Sequence, residues 1–353
     1  MVALPIDLGP FRPRAPWLTG DLQTLRDSLR PVSLPRDRGE PVDVEVGGGD
    51  RLRAVLDAPL SGAAPQGWVL LLHGLGGSSN REGLRRMGHA LQQAGFAVIR
   101  LNMRGAGPSR HLAAGTYAAN SNRDVLPVLR WARQHAGGRP LFGMGISLGG
   151  TKLLNALLAA PVQHAAAGLQ QPLLDGLVCI SSPLDLEACS DQIERPRNRL
   201  YQSWLLKRLV EQTLADPFGI TPQERQALTA GGGPRTIRAF DAAITAPRWR
   251  YASVEAYYAQ ASPLHGLLPL LRQPSAWQAV MPPTLLLHAL DDPWVPAAAT
   301  QQLAAAARQG VALEVVLTER GGHNGFHAVD DGPEGCWGDR LTARWFQHLV
   351  KQG

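Results

Sequence analysis

The chain has 353 residues, 44% of them hydrophobic, which is enough for one large domain with an insertion and a sizeable core. Its formal charge is +6, from 35 basic and 29 acidic side chains, nearly all of the basic ones arginine. These are scattered along the chain without the clustered, aromatic-interleaved stripe of a nucleic-acid groove, so the charge reads mainly as solvated surface and no nucleic-acid partner is expected.

No stretch approaches the roughly 18 to 20 continuous apolar residues that cross a bilayer, and the first residues, MVALPIDLGPFRPRAP, lack the basic start and apolar run of a signal peptide. The expectation is a soluble, cytoplasmic protein without a transmembrane segment, with peripheral membrane contact left open. Cys179, Cys189 and Cys336 are odd in number and far apart, fitting neither a disulfide framework nor a zinc site, so they are expected to be reduced.

The first forty residues are proline-rich and read as an arm over the core, interrupted by a short helix near Gly20 to Leu29. From Val42 onward, apolar runs of strand length alternate with helix-like stretches, the pattern of a mostly parallel sheet covered on both faces. Strands are predicted at VDVEV from Val42, RLRAVLDA from Arg51, WVLLLH from Trp68, FAVIRLN from Phe96 and PLFGMGIS from Pro140. Three more follow, at GLVCISS from Gly176, PTLLLHAL from Pro283 and LEVVLTE from Leu313. Several are too uniformly apolar to be half-exposed and belong at the sheet centre. Helices are expected at Arg81 to Ala94, Arg123 to His135, Leu148 to Ala160, Ala297 to Gln309 and Trp337 to Val350. The alternation breaks between Glu187 and His265, where amphipathic pieces such as RLYQSWLLKRLVEQ and VEAYYAQ replace a buried strand. The expected division is therefore an arm over 1–40, a core over 41–186, a helical lid insertion over 187–265, and the rest of the core over 266–353.

The strongest chemical signal is GMGISLGG, where Gly145-Ile146-Ser147-Leu148-Gly149 matches G-x-S-x-G at the junction of a buried strand and an apolar helix. In a chain with 38 glycines the motif could arise by chance, but the strand before it and the helix after it are the context a nucleophile elbow requires. A serine hydroxyl needs a base within reach and a carboxylate that holds the base in the right tautomer. Both follow in the order this fold uses, with Asp291 and Asp292 in LLLHALDDPWVP and His323 in TERGGHNGF. Asp292 fits the D-x-x-V-P spacing, whereas Asp291 is one residue out of register and is expected to cap the turn into the helix at Ala297. His73 closes WVLLLH before Gly74-Leu75-Gly76-Gly77 and reads as part of an oxyanion loop rather than as the base. Backbone N–H groups of Leu75 and Leu148 are the expected oxyanion donors, each worth about 3 to 4 kcal/mol. The competing reading of HGLGGSSN as a phosphate cradle lacks the Lys-Ser/Thr ending of a P-loop and any G-x-G-x-x-G.

Together, GDLQTL at Gly20, HGLGGSSN at His73, NMRGAG at Asn102, GISLGG at Gly145, SSPLDL at Ser181, IRAFDAAITAP at Ile237, YYAQASPL at Tyr257, LHALDDPWVP at Leu287 and TERGGHNGF at Thr318 resemble the YheT-type α/β-hydrolases, related to eukaryotic ABHD-type esterases and phospholipases. The resemblance runs over most of the chain. It implies a serine esterase or lipase-like carboxylic ester hydrolase, without metal or organic cofactor, that takes a small acyl ester or lipid through an acyl-enzyme. The stretch NREGLRRM departs from the family pattern, which implies a different pocket wall beside the oxyanion loop. A thioesterase or phospholipase of the same fold shares this chemistry, and a non-catalytic α/β-hydrolase scaffold is the alternative from another class. A serine at 147 disfavours a haloalkane-type enzyme, which would use an aspartate nucleophile.

Overall fold

The computed structural model describes residues 6, 8–167, 172–332 and 334–352. Six residues of the expected arm, 1–5 and 7, lie outside them. Within the arm, helix α1 (Gly20–Leu29) forms where the sequence places it, with the Thr19 hydroxyl accepting from the Leu22 N–H at its start.

All eight predicted strands form and join one sheet: β1 (Glu40–Gly47), β2 (Asp50–Asp57), β3 (Trp68–Leu72), β4 (Ala97–Leu101), β5 (Leu141–Ile146), β6 (Gly176–Ile180), β7 (Thr284–Ala289) and β8 (Leu313–Thr318). Their order is β1-β2-β4-β3-β5-β6-β7-β8, with β1 and β2 antiparallel at one edge and the rest parallel. Successive residues of β3 face opposite sides: Val69 and Leu71 enter one apolar cluster, Leu70 and Leu72 the other. The first cluster is closed by α2 (Glu82–Gln93) and the C-terminal helix, the second by α3 (Asn122–His135) and α4 (Leu148–Ala167). Burial on both faces is why these strands read as unbroken apolar runs rather than alternating ones.

Between β6 and β7 the described chain is helical: α5 (Leu186–Glu194), α6 (Arg199–Leu214), α7 (Pro222–Thr229), α8 (Ile237–Phe240), a π-helical turn (Asp241–Thr245) running into α9 (Ala246–Arg248), α10 (Val254–Ala261), α11 (Pro263–Leu270) and α12 (Pro274–Gln278). Two helices follow, α13 (Ala298–Ala306) and α14 (Trp337–Gln352). Among the described residues no helix is long and apolar enough to cross a membrane.

The arginines are not all solvated surface. Arg86, Arg100 and Arg104 are buried, and each is neutralised by two aspartates: Arg86 by Asp27 and Asp339, Arg100 by Asp37 and Asp57, Arg104 by Asp50 and Asp124. Two of these sites tie the arm to the core through Asp27 and Asp37. The Arg104 guanidinium grips Asp124 with both forks, at 2.9 and 2.7 Å, in the bidentate geometry that lysine cannot reproduce. Removing one partner of such a pair strands the other's charge in the interior. Asp124→Asn is expected to lower stability by about 3 kcal/mol, read as a shifted urea midpoint at unchanged slope. An unchanged midpoint would mean that Asp50 alone satisfies Arg104.

Candidate active site

Ser147 occupies the single-residue turn between β5 and α4, at φ 53°, a conformation that L-residues rarely adopt. Its N–H donates to Ile180 O at 2.8 Å, so the strained turn is anchored to the neighbouring strand. A Cβ at Gly145 would strike the backbone of Gly149 and Gly150, and one at Gly149 would strike Leu72 and His73. The elbow thus needs both glycines for close backbone approach.

The three residues singled out from the sequence meet at the carboxyl ends of the strands. The Ser147 hydroxyl lies 2.9 Å from His323 Nε2, and His323 Nδ1 lies 2.9 Å from Asp292 Oδ2. With Nδ1–H donating to the carboxylate, Nε2 is left as the acceptor for the serine proton. All three residues are buried. Burial alone would raise the Asp292 carboxyl, but His323 and His288 beside it, with the Val295 N–H, hold it below its ordinary value. The indole of Trp294 stacks on the His323 imidazole at 4.5 Å between centroids and fixes the plane of the ring.

The two aspartates divide their work differently from the expectation. Asp292 itself accepts the turn N–H groups of Trp294 and Val295 through Oδ1, at 2.8 and 3.0 Å. Asp291 turns the other way and accepts the Gly322 N–H at 2.9 Å, bracing the loop that carries His323. Burial raises the Asp291 carboxyl despite that bond.

His73 is buried and neutral. Burial drives its pKa down to about 4, Nε2 accepts from the Met103 N–H at 3.1 Å, and Nδ1–H donates to Gly74 O at 2.8 Å. It therefore shapes the Gly74 loop as a fixed hydrogen-bonding post. Tyr117 accepts the Gly76 N–H at 2.7 Å and secures the loop from the other side. Leu75 and Leu148 both line the cavity above Ser147, and among the described residues neither amide donates to a protein acceptor. The stretch NREGLRRM lines no part of that cavity: its Arg85 and Arg86 make ion pairs with Asp37, Asp27 and Asp339 instead.

The N-terminal helix, read only as part of an arm, clamps the histidine loop. The Thr24 hydroxyl accepts the His323 N–H at 2.8 Å and donates to Gly20 O at 2.7 Å. Gln23 donates to His327 O and accepts from the His327 N–H, at 3.1 and 2.8 Å. Its only sequence signal was GDLQTL, whose Gln23 and Thr24 carry no spacing that ties them to the histidine loop. Thr24→Val keeps the shape and removes the acceptor, so kcat is expected to fall about fivefold. Turnover on an aryl ester, measured beside the melting temperature, separates this positioning effect from unfolding.

The site opens into a cavity of about 210 Å³, walled mainly by apolar side chains, among them Leu148 and helical residues Leu186, Ile193, Leu205, Leu209 and Phe240. Leu206, by contrast, packs among the helices with Leu228 and Ile244 rather than on the cavity. One carboxyl interrupts the apolar wall. Asp241, in the π-helical turn, accepts from the Tyr258 hydroxyl at 2.9 Å, and burial pushes its pKa up to about 6 against hydrogen bonds from Thr245 and Tyr258. Sequence reasoning did not single it out, because a lone aspartate in IRAFDAAITAP has no spacing that marks it. All three cysteines are free, as expected, and burial pushes the thiols of all three up, including Cys189 on the cavity wall. Among the described residues no group of three or more His, Cys, Asp or Glu side chains is placed to hold a metal ion.

Residues 67–328 match the family described as the alpha/beta hydrolase fold. The chain is 32% identical over 261 residues to YheT of Escherichia coli (strain K12), named for an inferred esterase activity, covering 73% of this chain and 70% of that one. It is 29% identical over 294 residues to Phospholipase ABHD3 of Mus musculus, covering 81% of this chain but only 64% of the relative's length. In fold it resembles a soluble variant of monoglyceride lipase from Saccharomyces cerevisiae, at TM-score 0.55 and 17% identity, covering 91% of this chain and 98% of that one.

Proposed function

Because the chain belongs to the α/β-hydrolase fold family, in its YheT-type branch, we propose that it is a serine hydrolase that cleaves carboxylic esters through an acyl-enzyme. Ser147 is the nucleophile, His323 the general base and Asp292 the carboxylate that holds the histidine. The observation that carries this reading is the hydrogen-bonded line from Ser147 through His323 to Asp292, with 2.9 Å at each step, facing an apolar cavity.

In the first half-reaction His323 Nε2 takes the hydroxyl proton as Ser147 Oγ attacks the ester carbonyl, and the negative charge moves to the carbonyl oxygen. The amides of Leu75 and Leu148, which among the described residues have no protein acceptor to give up, are the donors for that oxyanion. His323 then gives the proton to the departing alkoxide. Water repeats the sequence on the acyl-enzyme, returning the serine and releasing the acid. Asp292 stays ionised throughout, consistent with its lowered pKa, and stabilises the imidazolium as it forms. No step requires a metal or an organic cofactor.

The helical segment 187–265 serves in this reading as a lid that sets substrate class, since Ile193, Leu205, Leu209 and Phe240 from it wall the cavity. Small acyl esters and lipids are the matching substrates. The test is hydrolysis of 4-nitrophenyl esters from two to sixteen carbons beside matched thioesters and phospholipids. The reading expects turnover of at least one aryl ester with a chain-length optimum that shifts in Leu205→Ala and Leu209→Ala. Absence of turnover across the whole panel, together with binding of the same ligands, would favour a non-catalytic scaffold.

A further inference from the structure

Among the described residues no cationic side chain forms an ion pair with the Asp241 carboxyl. It is partly buried on the wall of the same cavity as Ser147, and its hydrogen-bond partners are the hydroxyls of Thr245 and Tyr258. A carboxylate facing apolar walls is costly unless its remaining lone pairs find donors. Tyr258 occupies one oxygen, and its own hydroxyl also lies 3.5 Å from Ser190 Oγ, a second polar group on the cavity wall. The helical turn carrying Asp241 departs from α-geometry over Asp241–Thr245, an irregularity of the kind that re-aims side chains at functional sites. The nearest guanidinium, Arg238, covers the Tyr258 ring 5.2 Å from the centroid, but it is already shared among Glu187, Asp191 and Glu255 and is not paired with Asp241. A ligand cation would have to shed its water against the apolar walls of the cavity, whereas a neutral hydroxyl supplies the missing donor at a much smaller desolvation cost.

We propose that Asp241 is a binding residue of a polar subsite in the cavity, and that the preferred ester carries a free hydroxyl group away from its scissile carbonyl, which donates to this carboxylate. The inference rests on reading the cavity as an ester site and adds the class of ester it takes. Glycerol monoesters and hydroxyacyl esters both present such a donor, one on the alcohol side and one on the acyl side.

Two matched pairs of esters test it and separate those sources: a glycerol monoester against the methyl ester of the same fatty acid, and a 4-nitrophenyl ω-hydroxyacyl ester against the plain acyl ester of equal length. A hydrogen bond to a charged group is worth roughly tenfold to a hundredfold, so wild-type kcat/KM should favour the hydroxyl-bearing member of one pair by about tenfold or more. Asp241→Leu should bring that ratio close to one. Asp241→Asn, which keeps the shape and a neutral acceptor, should leave it in between and guards against misfolding of the leucine variant. A wild-type ratio of one in both pairs, or a ratio that survives Asp241→Leu, would overturn the inference. So would a choline ester that outruns the hydroxyl-bearing ester, since that would assign the carboxylate to a cation.

Calorimetric binding of the monoester and the methyl ester to Ser147→Ala keeps this test independent of turnover. Equal affinities overturn the subsite even if the enzyme hydrolyses esters. Unequal affinities that depend on Asp241, in a wild-type protein that cleaves nothing, overturn the esterase reading and leave the subsite standing.

Discussion

Ser147→Ala is expected to lower kcat/KM on an aryl ester by about 10⁵ to 10⁶, leaving only what binding and the oxyanion donors contribute. The size follows from what the serine does: without Oγ there is no covalent intermediate, and His323 is left poised over an apolar cavity with nothing to deprotonate. The elbow itself should survive, because alanine tolerates the left-handed turn no worse than serine and the flanking close contacts belong to Gly145 and Gly149. A fluorophosphonate probe should label the wild type at one site per chain and spare the variant, with melting temperatures within a few degrees. Equal labelling of both proteins, or a labelled peptide elsewhere in the chain, would place the nucleophile outside the elbow.

The sheet was legible because its central strands are buried on both faces and its strand runs are bounded by glycine and proline, so composition and length pointed to the same answer. The helix after the elbow runs on to Ala167, past the expected end at Ala160. Proline at 161 lies inside it, since a proline near the end of a helix that is already packed on the sheet need not end it. The candidate site was legible where chemistry leaves a local signature: glycines around Ser147, a carboxylate in D-x-x-V-P, a histidine after Gly-Gly. What the sequence did not reveal depends on contacts across hundreds of residues. Thr24 reaches His323 over 299 positions and Arg86 reaches Asp339 over 253, and no window of sequence displays such a pair. Buried arginines look like surface arginines until their aspartates are located. Asp241 is hidden for the same reason, since what sets it apart is its place on the wall of an apolar cavity, a property of its surroundings in space.

Replacing each of the adjacent aspartates by asparagine should separate two roles that the sequence could only rank. Asp292→Asn replaces the Oδ2 acceptor opposite His323 Nδ1 by a group that can present N–H there. The imidazole is then free to carry its proton on Nε2, the wrong tautomer for accepting from Ser147, and turnover is expected to fall by about 10⁴. The same substitution keeps an oxygen for the Trp294 and Val295 amides at the other position, so the turn and the melting temperature should change little. Asp291→Asn acts on the loop instead. It can still accept from the Gly322 N–H, though as a neutral group, and its effect should be confined to the bracing of the His323 backbone. Loss of a single such bond costs about 1 kcal/mol, so a fall in kcat of about fivefold at most is expected, with a comparably small loss of stability. Because burial already raises the Asp291 carboxyl, neutralising it removes little that folding depends on near neutral pH. Turnover and melting temperature measured side by side for the two variants decide the assignment. If Asp291→Asn abolishes turnover while Asp292→Asn retains it, the carboxylate that serves His323 during the reaction is Asp291, and the loop must rearrange by one residue before chemistry.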